Sequence, residues 1–216
     1  AAVPPRKSEI LRAVTYYEKI LPTLSVELKL GTQPTAQELN GFDAVLVAVG
    51  AHNMALPMPA EGSNILSAWD VLSGAEVSGD CAVLGGGLVG TETAEYLAAK
   101  GHKVTIVEML DKIASGESAT VLPLVMEDFE VHGVEQHVNT KVKEIRDNTI
   151  YAENTQDGTE LTIHADTIVN ALGSKKNAFD ESGITAPVTL IGDCSGERTA
   201  DIAAAIRSGY HAANEI

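Results

Sequence analysis

The sequence is poor in cysteine, aromatic residues and cations. Its 216 residues hold two cysteines, Cys81 and Cys194, and no Cys-x-x-Cys pair. That excludes a thioredoxin-type dithiol, a cysteine zinc knuckle and four-cysteine iron–sulfur ligation within these residues. Lys plus Arg number 15 against 30 Asp plus Glu, a formal charge of −15. A field of that sign repels nucleic-acid phosphates and anionic membrane surfaces, so neither is expected as a partner. No apolar run approaches the ~20 residues of a membrane span. The longest, Asp43 to Gly50, reads as a buried strand. No signal-type stretch opens the chain and nothing requires an oxidising compartment, so a cytoplasmic location is expected. The histidines lie scattered without ligand spacing, and no serine sits in a nucleophile elbow. Neither a metal centre nor hydrolase chemistry is expected.

What is present supports a globular α/β protein. Hydrophobic residues make up 44% and charged residues 21%, enough apolar side chain for a core. Short apolar strands alternate with helical patterns, which predicts a mainly parallel sheet. The spacing predicts helices from Pro5 to Leu21, around Ser67 to Leu72, from the glycines at 85–90 to Lys100, from Ser118 to His132 and from Thr199 to Ile216. Strands are expected at Val26–Leu30, Ala44–Val49, Cys81–Leu84, Val104–Val107 and Val188–Ile191. A run of short strands between Val134 and Ala171 predicts an antiparallel meander before the sheet resumes. Residues 80–178 are expected to form a Rossmann-like nucleotide-binding domain, with 1–79 and 179–216 packing together as a second, incomplete α/β domain into which it is inserted.

The pattern that carries chemistry is Gly85-Gly86-Gly87-Leu88-Val89-Gly90, between a strand and a helix. G-x-G-x-x-G alone is a weak signal, but the surroundings agree with it. Ala94 lets helix and strand approach closely. The next strand ends in Glu108, about 20 residues beyond the glycines, where an acidic side chain reaches an adenine ribose. Gly85 permits a tight turn, Gly87 leaves the backbone open to a pyrophosphate, and Gly90 permits helix–strand contact. The helix N-terminus offers N–H groups and positive dipole to phosphate. Glu108 repels a 2′-phosphate and no Arg stands in Met109–Lys112, so NAD(H) is favoured over NADP(H).

Two further patterns are weaker. Val47-Ala-Val-Gly50-Ala51 is echoed by Asn170-Ala-Leu-Gly173-Ser174, each an apolar strand ending in a glycine turn. Ile191-Gly-Asp193-Cys194, followed by Arg198, precedes the last helix. Asp193 reads either as that helix's cap or as an acceptor for a ligand hydroxyl, with capping preferred on residue preferences alone.

Together these stretches, with Ala2-Val-Pro-Pro-Arg-Lys-Ser-Glu-Ile10 and Gly101 to Met109, resemble the C-terminal FAD/NAD(P)-binding region of old-yellow-enzyme-like NADH:flavin oxidoreductases, the 2,4-dienoyl-CoA reductase and 2-enoate reductase group. The resemblance implies a parent protein with an N-terminal FMN-bearing barrel, a 4Fe–4S cluster and an FAD domain carrying an inserted NAD(H) domain. It implies that Glu92 lies toward the nicotinamide, that Gly50 and Ala51 form the turn linking the FAD and NAD halves, with Gly173 a further cofactor-binding position, and that Asp193 contacts the flavin's ribityl chain. Val49 departs from the usual Thr of its turn. The chain opens without Met and holds one glycine fingerprint rather than two. It is therefore expected to be a fragment whose partners are the barrel and the rest of the FAD domain. Two alternatives are a non-catalytic ADP-binding module, as in trimethylamine dehydrogenase, and the reductase module of another flavoprotein with two dinucleotide domains.

Overall fold

The computed structural model describes residues 1–196 and 201–216. Arg198 and the expected helix start at Thr199 lie outside the described residues. Along the chain run α1 (Ile10–Ile20), α2 (Ala36–Leu39), β1 (Val45–Val47), β2 (Ala51–Asn53), β3 (Ala60–Glu61), β4 (Ile65–Ser67), α3 (Ala68–Leu72), β5 (Cys81–Leu84), α4 (Leu88–Ala99), β6 (Val104–Val107), α5 (Leu122–His132), β7 (Glu135–His137), β8 (Thr140–Arg146), β9 (Thr149–Asn154), β10 (Glu160–His164), β11 (Thr167–Asn170), β12 (Ser174–Lys176), β13 (Val188–Leu190) and α6 (Ile202–Asn214). The chain divides into two compact units, Ala1–Ile20 with Ala55–Gly173, and Leu21–Met54 with Ser174–Ile216.

The first unit is built on a five-stranded parallel sheet in the order β4-β11-β5-β6-β7. The chain runs outward from β5 through β6 to β7 and returns to the other side of β5 as β11. That reversal places a topological switch point at the carboxyl ends of β5 and β11, the position at which open α/β sheets hold ligands. Every residue of β5, β6 and β11 is buried, as a parallel sheet covered on both faces requires. Strand alternation sends Cys81 and Val83 to a core with Leu97, Ile106 and Phe129 beneath the helices. It sends Ala82 and Leu84 to the opposite core, with Ile145, Ile150 and Ile168. That second core is covered by the β10-β9-β8 meander, whose edge is extended by β3 parallel to β8.

Residues 1–20 and 55–79 belong to this unit and 174–178 to the other, so the boundaries differ from the 1–79, 80–178 and 179–216 that the sequence pattern predicts. For 55–79 the reason is pairing: Ile65–Ser67 adds to the sheet beside Ile168–Asn170. Ser67 caps α3 through a capping box with Asp70. Helix α5 begins four residues later than expected, because Pro123 sits in its first turn, where its missing N–H costs nothing. Gly133 closes α5 in the left-handed region, at φ 65°.

The second unit is smaller. Parallel strands β1 and β13 pair with each other, over a core of Val45, Val47 and Cys194 with Leu39, Val188 and Leu190. Residues 26–30 are not a strand; Leu28 and Leu30 lie exposed there, with no ladder partner among the described residues. Among the described residues no helix is long and apolar enough to cross a membrane.

Candidate functional site

The glycine turn lies at the carboxyl end of β5. Gly85 has φ +100°, and a Cβ there would meet the Ala171 carbonyl oxygen at 2.7 Å. A Cβ on Gly90 would stand 1.8 Å from the Gly85 carbonyl oxygen. These two glycines let the end of β5, the first turn of α4 and the end of β11 touch. Gly86 is tight as well, since its Cβ would fall 2.5 Å from Ile113 Cγ2. Gly87 is different. It is exposed, and a Cβ there would meet nothing within 4 Å. Gly87 is also the N-cap of α4 and supplies no side-chain acceptor to the helix's first N–H groups. Leu88 and Val89, 38% and 41% exposed, continue this open face. The result is a helix N-terminus with positive dipole and donors aimed past a bare backbone, a geometry suited to a phosphate group.

Glu108 follows β6 and lies beside this turn. Its Oε2 accepts from the Gly86 N–H at 2.6 Å, and its Oε1 accepts from the Leu110 N–H at 2.7 Å. The carboxylate therefore contacts the glycine turn directly. The sequence pattern points it toward a ribose and against a 2′-phosphate, and gives no sign of this main-chain contact.

Glu92, one turn into α4, forms an ion pair with Lys7. Beside it the buried Glu95 pairs with Arg6, which also reaches Asp128 on α5. Arg6, Lys7, Thr91, Glu92, Glu95 and Glu117 share the walls of a cavity of about 270 Å³. The chain's first residues thus clasp the outer face of α4 and α5. Burial pushes the Glu95 carboxyl up to about 7, helped by hydrogen bonding to Asp128 and opposed by Arg6. Asp128 is held below its ordinary value, chiefly by its hydrogen bond from Arg6. The raised Glu95 means the folded state keeps a proton that the unfolded state releases near 4.5. This group therefore costs stability as pH rises from about 4.5 through 7. Asp128 has the opposite sign and favours the fold at pH above its lowered value.

Arg6→Ala removes the charge that compensates Glu95. Its side chain is 42% exposed, so solvent tempers the loss to roughly 1–2 kcal/mol at pH 8, with less at pH 5, where Glu95 is protonated. Urea unfolding at the two pH values checks this; a loss that is larger at pH 5 would contradict the clasp.

In the second unit, Gly50 has φ +69° and begins the turn into β2. Strand β2, starting at Ala51, pairs antiparallel with β12, which follows Gly173. Asn177 secures this turn, donating from Nδ2 to the Val49 carbonyl at 2.8 Å and from its N–H to the Gly50 carbonyl at 3.0 Å. The echoed glycine motifs thus lead into paired strands. Asp193 lies in a single 3-10 turn, Gly192–Cys194. The Gly192 N–H donates to Ser208 Oγ on α6 at 3.0 Å. The cap of α6 is Asp201, whose carboxylate accepts from the Ala204 N–H at 2.7 Å, so the capping role considered for Asp193 belongs to Asp201.

Neither cysteine is poised for chemistry. Burial, with Asp80 and Asp166 nearby, raises the Cys81 thiol to about 11. The buried Cys194 donates to the Val47 and Ile191 carbonyls. Among the described residues no group of three His, Cys, Asp or Glu side chains gathers to hold a metal ion.

A parallel sheet whose strand order reverses at a glycine turn is the form shared by dinucleotide-binding domains. The chain belongs to the pyridine nucleotide-disulphide oxidoreductase family, whose match covers residues 24–189. The bilirubin reductase of Mediterraneibacter gnavus is 43% identical over 225 residues, covering all of this chain and 34% of that protein. The NADH oxidase of Thermoanaerobacter brockii is 32% identical over 231 residues, covering all of this chain and 35% of that protein. A 2-naphthoyl-CoA reductase structure matches with TM-score 0.89 at 24% identity, over all of this chain and 33% of that one, which establishes a shared fold. The chain thus spans about a third of the length of these relatives. The resemblance to a pyridine-nucleotide oxidoreductase region within larger reductases agrees with these matches.

Proposed function

We propose that this chain is the nucleotide-binding part of a flavin-dependent oxidoreductase: the first unit binds NAD(H), whose electrons pass to an FAD held with the help of the second unit in a longer protein. The open face of Gly87, beside the uncapped N-terminus of α4, is the observation that carries this reading. NAD(H), when bound, supplies a hydride to a flavin acceptor. The chain's own contribution is binding and orientation. The N–H groups of Leu88, Val89 and Gly90 face the pyrophosphate, and Gly87 allows it to approach the backbone. Glu108 keeps a negative charge where a 2′-phosphate would stand, which favours NAD(H) over NADP(H). Glu92, in its pair with Lys7, is assigned toward the nicotinamide. Gly50, Ala51 and Gly173 shape the turns between the two nucleotide halves, and Asp193 is assigned to the flavin.

The residues fit FAD only in part, because one glycine fingerprint is present and NAD(H) takes it. A single charge-assisted hydrogen bond accepted by Asp193 contributes at most ~3 kcal/mol, whereas micromolar retention requires ~8 kcal/mol. The 216-residue chain alone is accordingly expected to purify colourless and to show no NADH oxidation with added dyes. A yellow preparation with stoichiometric flavin would contradict the division of labour proposed here. An FMN barrel and a 4Fe–4S cluster belong to the proposed parent; the two cysteines of this chain do not fit a cluster, and no step is assigned through one.

A further inference from the structure

We propose that Glu108 is a positioning residue for the glycine turn, its carboxylate tying the N–H of Gly86 to the N–H of Leu110 and so setting the turn's shape before a nucleotide arrives. The inference rests on the nucleotide-binding reading and deepens it. Glu108 is itself fixed at both main-chain groups: its N–H donates to the His137 carbonyl at 2.9 Å, and its carbonyl accepts from Thr140 N–H at 2.8 Å. From that anchored position Oε2 reaches Gly86 at 2.6 Å and Oε1 reaches Leu110 at 2.7 Å. The same segment grips Gly86 from its other side, because Ala114 N–H donates to the Gly86 carbonyl at 2.6 Å. Beneath it lies the buried Ile113, whose Cγ2 is the atom a Cβ at 86 would strike. Residues 108–114 thus form a strap that holds both polar groups of the middle glycine, and the Asn139 N–H donates to Leu110's carbonyl at 2.7 Å to pin the strap.

The consequence differs from that of a ribose acceptor. If Glu108 acted through the ribose hydroxyls alone, a nucleotide lacking them would be indifferent to its removal. A latch on Gly86 acts on the pyrophosphate-facing turn, so its loss is felt by any adenosine diphosphate, hydroxyls or not. Each oxygen accepts one main-chain N–H and has a further lone pair, so a ribose contact can be added to the latch.

Two measurements read the latch and its consequence separately. The first is amide exchange of the chain before nucleotide is added; the second is calorimetric binding of ADP and 2′,3′-dideoxy-ADP. Glu108→Ala removes the carboxylate. Glu108→Asp keeps the charge but is one methylene too short to span both donors, and it serves alone where the alanine variant does not fold. Exchange is expected to accelerate about tenfold or more, the scale of one lost charge-assisted hydrogen bond, at Gly86 and Leu110 in the alanine variant and at one or both of them in the aspartate variant. Amides within β5 and β6 and the urea midpoint of the aspartate variant should hold, and dideoxy-ADP should weaken about tenfold. Unchanged exchange at both residues, or dideoxy-ADP bound as tightly as by the wild type, overturns the proposal. Accelerated exchange in variants of a wild type that binds neither nucleotide supports the latch and contradicts the nucleotide-binding reading instead.

Discussion

Gly90→Ala is expected to destabilise the protein, although alanine in place of glycine inside a helix ordinarily gains about 1 kcal/mol. The reason is local. Gly90 lies in the first turn of α4, and a Cβ there would stand 1.8 Å from the Gly85 carbonyl oxygen and 3.4 Å from Ala171 Cβ. The struck atom is backbone, and Gly85 has no freedom to retreat, because its own Cβ position faces the Ala171 carbonyl at 2.7 Å. Either α4 shifts away from β5 and opens the core around Ala94 and Leu97, or the glycine turn deforms. Overpacking of this kind costs about 1–3 kcal/mol or more. A fall in the urea midpoint by that amount, with loss of nucleotide binding, is the expected result; a midpoint that rises would mean the helix and strand are not in contact at Gly90.

Gly87→Val should do the reverse. A Cβ there meets nothing within 4 Å and φ is −69°, so no clash or strain arises, and the cost to folding is only that of a branched residue at the N-cap of α4, about 0.5–1 kcal/mol. The branched side chain projects from the exposed cap of α4, where the pyrophosphate is proposed to lie. NADH affinity should fall at least 100-fold, about 2.7 kcal/mol. The two variants separate the glycines that build the turn from the one that leaves room for a ligand. Valine at 87 with undiminished affinity would move the nucleotide to another part of the molecule.

Much of this was legible in the chain itself, and the reasons are specific. The helix from Leu88 to Ala99 and its closure near Gly101 follow from the glycine turn and an apolar periodic run. The meander strands follow from alternation broken by Asp147-Asn148 and Asn154–Gly158. What local pattern could not supply was long-range pairing. Ile65–Ser67 looks like the lead-in to a helix, and only its place beside Ile168–Asn170 makes it part of the parallel sheet. Val26–Leu30 alternates as a strand does, yet alternation gives no ladder without a neighbour. The clasp left one signal: Glu95, a carboxylate between Ala94 and the apolar Tyr96-Leu97, needs a cation, and Arg6 is distant in sequence. The latch at Glu108 left none, since its partners are backbone N–H groups that every residue type carries.

The central claim is that NAD(H) sits on the turn from Gly85 to Gly90. It is tested most directly by following the backbone amide resonances of the purified chain while NADH is added. The largest shifts are expected at Gly86, Gly87, Leu88, Val89 and Gly90, saturating at one equivalent and absent in Gly87→Val. Saturable shifts confined to other residues, or none at millimolar NADH, would contradict the account.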